Sequence, residues 1–161
     1  MLKTRAIAAA IGFAATTFIG AGLALAPQAV AVAPSDFGTK PQIYLVKDTE
    51  RGYDQYLGIA RSGGPYIRFA NHDPSHGITQ CFTGSLRHGR LIGTAILITD
   101  DGGVLDIDPG FRIRLRKRGG TIILGRADYW STFHRTNSRR IGRVTRARLA
   151  LCQQVLAHAD D

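Results

Sequence analysis

The stretch LIGTAILITDDGGVLDIDPGFRIRLRK, Leu91 to Lys117, holds three apolar runs separated by two turn signals, Asp101-Gly-Gly103 and Asp108-Pro-Gly110. Asp-Gly and Gly-Gly pairs supply the positive φ that tight hairpins demand. The last run, Phe111-Arg-Ile-Arg-Leu-Arg-Lys117, alternates strictly from Phe111 to Arg116. In a strand this sends Phe111, Ile113 and Leu115 to one face and Arg112, Arg114 and Arg116 to the other. The reading is of antiparallel strands, the last of them with a core side and a cationic side.

The pattern extends in both directions. Upstream, Gln42 to Lys47, Tyr56 to Ala60, Tyr66 to Ala70 and Cys81 to Arg87 are apolar or β-branched runs, parted by Asp48 to Gly52, by Arg61-Ser-Gly-Gly-Pro65 and, before Leu91, by His88-Gly89. Downstream, Gly119-Gly120 leads into Thr121 to Arg126. Short strands spaced by tight turns, with no helical pattern between them, predict a mainly β protein. Its antiparallel meander is expected to close into a small barrel or fold into a sandwich. The character changes after Trp130, and Tyr129, Trp130 and Phe133 read as core residues covering a junction. Over residues 138–158, Ile141, Val144, Leu149, Leu151, Cys152, Val155 and Leu156 share one arc at helical spacing, with Arg139, Arg143 and Arg146 opposite. This is a C-terminal amphipathic helix with Asn137 or Ser138 as its N-cap.

At the other end, Lys3 and Arg5 precede an uncharged, Ala-rich run from Ala6 through Val32 that carries small-residue sites such as Ala29-Val-Ala31. This predicts a signal peptide over residues 1–31, a flexible lead over 32–41, and a single β-rich domain over 42–161. The run is diluted by Gly12, Thr16, Thr17, Gly20 and Gly22, which argues for cleavage over a retained transmembrane anchor. The expected location is secreted or associated with the cell envelope. In an oxidising compartment the chain's two cysteines, Cys81 and Cys152, pair with each other. Cys152 falls on the apolar arc of the helix, so the disulfide would tie the helix to the sheet.

The formal charge is +9, which removal of Lys3 and Arg5 lowers by two. Residues 32–108 carry seven Lys/Arg against nine Asp/Glu, whereas residues 109–161 carry twelve against three. The basic excess therefore belongs to the C-terminal third. Three guanidinium groups about 7 Å apart along one strand repel each other, and an anionic partner would relieve that repulsion. Arg139, Arg143 and Arg146 form a second basic strip. The plain alternative is that arginine serves here only as the solubilising residue.

Other constellations are weaker. His72-Asp-Pro-Ser-His76 spaces two imidazoles by four residues, as metal ligands on a helix require, but the proline disfavours that helix and a glutamate base is absent. His72, Asp73 and His76 stand as the alternative catalytic set, for a small secreted hydrolase. Cys81 as a thiol nucleophile competes with its own disulfide, and Asp100, Asp101, Asp106 and Asp108 bracket a hairpin without the order of a calcium loop. No motif calls for a metal or cofactor. The expectation is a non-enzymatic binding or accessory protein whose basic face meets an anionic polymer, a lipid headgroup or an acidic protein. Export argues against intracellular nucleic acid as its target.

Overall fold

A computed structural model describes residues 28–48, 53–126 and 129–159. The first 27 residues of the expected signal peptide lie outside the described residues. Nine strands are formed: β1 (Val30–Ala31), β2 (Gln42–Asp48), β3 (Tyr53–Gly63), β4 (Tyr66–Asp73), β5 (Ile78–Arg87), β6 (Arg90–Thr99), β7 (Val104–Arg118), β8 (Thr121–Arg126) and β9 (Tyr129–Arg135). A single helix, α1 (Arg139–Ala159), follows. All pairings are antiparallel, and β2 through β9 close into an eight-stranded barrel as β9 pairs with β2 and β8 with β7. Of the two architectures the sequence allowed, the barrel forms.

The interior is filled by alternate residues of every strand of the barrel, among them Leu57, Ile59, Ile67, Phe69, Phe82, Leu91, Phe111, Leu115, Leu124 and Phe133. Phe69 and Phe82 stack with centroids 4.9 Å apart, and Phe82 meets Phe111 at 5.7 Å. A second cluster lies outside the barrel wall, where Leu149, Cys152 and Leu156 of α1 cover Ala60, Ala70, Cys81, Ile96 and Ile98. The helix comes close because β3 offers Gly58 beneath it: a Cβ there would fall 2.7 Å from the Thr145 methyl. Cys81 and Cys152, both buried, are joined as the sequence implies, across a separation of 71 residues. Ser138 caps the helix, its hydroxyl accepting from the Ile141 N–H at 3.4 Å.

Three sequence expectations change. Asp108-Pro-Gly110 is not a turn: β7 runs through it, and one extra residue bulges opposite β6 between the pairs Ala95–Asp108 and Gly93–Phe111. A bulge tolerates a proline because the residue it inserts has no ladder hydrogen bond to lose. Residues 32–41 are not a loose lead. Val32 and Phe37 are buried in the barrel core, Ala31 pairs with Arg116, and Asp36 forms an ion pair with Lys117. Burial works to raise the Asp36 pKa, yet Lys117 and the Ala33 N–H outweigh it and hold the carboxyl below its usual value. Tyr129 to Arg135, finally, is a strand that closes the barrel.

Candidate anion-binding face

The alternation that opens the sequence reading is reproduced. Phe111 and Leu115 are buried, Ile113 is half-buried, and Arg112, Arg114 and Arg116 are exposed on the outer wall. The register then adds cations from neighbouring strands. The two-residue turn His88-Gly89, with φ of 49° and 69°, sets Arg87 opposite Arg90. Arg90 in turn stands opposite Arg114. Partners directly opposite lie about 5 Å apart at Cα, and like charges so placed are destabilising. A lateral row of Arg87, Arg90 and Arg114 thus crosses the longitudinal row Arg112, Arg114, Arg116 at Arg114.

Arg90, Ile92, Arg112, Arg114, Gly125 and Arg126 surround one shallow depression of about 220 Å³. A second of similar size, lined by His88, Arg90, Arg114 and Arg116, adjoins it beyond the end of β6. Among the described residues, no ion pair joins Arg90, Arg112, Arg114 or Arg126 to a carboxylate. Among the described residues, then, no cross-strand aspartate forms an ion pair with these rows. On the flank, Trp130 continues the rung from Gly125, and its ring lies over that glycine, where any Cβ would collide with it. The Arg116 guanidinium sits 5.1 Å from the ring centroid. Trp130 remains 37% exposed and is a wall residue on the arginine side, whereas Phe133, 1% exposed, serves the core as expected; the side chain of Tyr129 lies outside the described residues.

The helix arginines do not join this face. The helix packs across β3, β4, β5 and the Ile96–Ile98 end of β6, but its arginine-bearing first turns share no depression with Arg90, Arg112 or Arg114. Arg139 and Arg146 instead border a depression with Arg135, Gln42 and Ser138 near the start of α1. The two basic strips that share one face on the sequence expectation border separate depressions in the fold.

The histidine loop is also divided. His76 is exposed in the turn after β4, with its Nδ1 2.8 Å from Asp73 Oδ2. His72 is 3% exposed on the outer face of β4, its Nδ1 3.0 Å from Thr79 Oγ1 and 3.9 Å from Asp100 Oδ1. Asp100 is held in turn by Arg148 of α1 at 2.9 Å. Asp73 accepts from the backbone N–H groups of Ser75 and His76, as a turn-forming aspartate does. His72 and His76 keep separate partners, and no group of three His, Cys, Asp or Glu placed to hold a metal ion occurs among the described residues.

Arg90, Arg126 and Trp130 are the residues of this face that sequence reasoning missed. Arg90 could have been found by counting back across the His88-Gly89 turn; the other two need the barrel closure. No family model, no curated protein and no solved structure matches the chain. No helix among the described residues is long and apolar enough to cross a membrane.

Proposed function

We propose that this is a non-enzymatic binding or accessory protein of the cell envelope or its exterior, which uses the β6–β8 wall to hold an anionic partner. The observation that carries this reading is the convergence of Arg90, Arg112, Arg114 and Arg126 on one depression with no carboxylate among the described residues to neutralise them. Guanidinium groups are the side chains best suited to phosphate, sulfate and carboxylate, because their planar forks match those oxygens. Keeping four of them unpaired costs self-repulsion in the free protein, and a bound anion returns it as affinity.

Retention on an immobilised polyanion such as heparin or polyphosphate tests the reading. Retention is expected to weaken steeply between about 0.05 and about 0.5 M salt, since each cation–anion contact releases or displaces counterions. The triple change Arg112→Ser, Arg114→Ser, Arg116→Ser is expected to move elution to markedly lower salt with the thermal unfolding midpoint little changed, because all three side chains are exposed. Retention indifferent to both salt and the triple change would remove the basic face from the function.

A further inference from the structure

A cationic wall suited only to a soluble polyanion has no use for exposed apolar side chains among its arginines, yet this one carries them. Ile92 is 43% exposed beside Arg90 and Arg112 at the rim of the depression, and Trp130 is 37% exposed beside Arg116. Two apolar groups thus flank a cationic centre on the outer wall of the barrel. The seat of Trp130 on Gly125 holds the ring against the wall, and the residue stays 37% exposed.

An anionic bilayer surface offers both chemistries at once. Its phosphates sit at the depth that a row of guanidinium groups reaches, and its interfacial zone takes up indole and aliphatic side chains just below them.

We infer that the β6–β9 wall docks peripherally on anionic phospholipid membranes, with Arg90, Arg112, Arg114 and Arg116 on the phosphates and Trp130 and Ile92 inserted at the headgroup boundary. The inference rests on the anion-binding reading above and narrows its partner to a lipid surface. Trp130 is the only tryptophan in the chain, so its fluorescence reports this wall alone.

The test is sedimentation of the purified, oxidised protein with vesicles of phosphatidylcholine alone and with added phosphatidylglycerol, alongside the polyanion column. Binding is expected only with phosphatidylglycerol, with a blue shift of Trp130 emission and quenching by lipids brominated near the headgroup. Each of Arg112→Ser and Arg114→Ser should weaken vesicle binding by about fivefold, from the free energy of one basic residue at an anionic surface. Because the variants share the N-terminus of the parent, a difference between them isolates the wall from any effect of the apolar run. Retention on polyanion without sedimentation on phosphatidylglycerol vesicles would leave the anion-binding face standing and overturn the lipid inference. Absence of both would overturn the two together. Sedimentation with unchanged Trp130 emission, or equal binding to phosphatidylcholine, would also overturn the inference, by showing contact through another surface.

Discussion

Burial on the outer face of β4 withdraws His72 from water, and the Arg148 guanidinium adds a nearby positive charge; both hold its imidazole below the ordinary histidine value of 6.5. Asp100, the Ile78 carbonyl and Asp73 pull the other way without overcoming them, and Tyr56 packs its ring 6.1 Å off. The unfolded chain therefore takes up a proton at His72 at a higher pH than the folded chain does. Stability from the neutral imidazole is fully present above the unfolded value and is lost as pH falls below it. The denaturant midpoint is expected to drop between about pH 7.5 and about pH 5, and His72→Gln should flatten part of that drop. An unchanged pH dependence in the variant would show that the loss arises elsewhere. The carboxyl of Asp36, held low by Lys117, adds its own loss only further into acid. The imidazole's burial was not legible in the sequence: the spacing of His72 and His76 drew attention to them as a pair, whereas their fates differ because β4 ends at Asp73, between them.

Among the elements, β7 shows where reading by pattern succeeds and where it stops. Its alternation from Phe111 to Leu115 was plain, because strand side chains change face at every step. Its passage through Pro109 was not, because a proline after an aspartate is as common in turns as in bulges. β6 and β7 shift register twice, between Gly93 and Ala95 and between Leu97 and Ile98. Each shift adds one residue to β7 with no partner in β6, and the two together bring Arg114, in place of Arg112, opposite Arg90. The helix was legible throughout, from its cap at Ser138 to Cys152 on its buried side, since an amphipathic period and a single possible disulfide constrain each other. Changing both cysteines to Ser should lower stability by about 4 kcal/mol in the chain-entropy account of a loop this long. A calorimetric unfolding midpoint checks it. A loss below about 1 kcal/mol would mean that the contacts of Leu149 and Leu156 hold α1 to the wall unaided.

For the molecule as a whole, the sequence located the excess of positive charge in the last third but not its division between two walls. Charge along a chain is one-dimensional, and only the closed barrel parts the Arg112–Arg116 half of β7 from the first turns of α1, while the Val104–Ile107 end borders the last turns. A consequence follows for the helix arginines. Arg139→Ser, Arg143→Ser and Arg146→Ser together should leave retention on polyanion and Trp130 emission close to those of the parent at equal salt, apart from the small general effect of net charge. Elution shifted as far as by the β7 triple change would show that both walls bind. β9 escaped the sequence reading because Ser131, Thr132 and His134 dilute its apolar pattern, yet it is the strand that makes the wall continuous and brings Trp130 to the arginines.

The bond between Cys81 and Cys152 encloses the whole of β6, β7, β8 and β9 within one covalent loop, and with them every residue assigned to the binding wall. A protease that cuts the oxidised chain once anywhere in that loop, at the Gly119-Gly120 turn for example, releases nothing. The two pieces stay joined through sulfur, and the paired strands on either side of the nick hold the arginines in register. Two cuts are needed before the wall can leave the molecule.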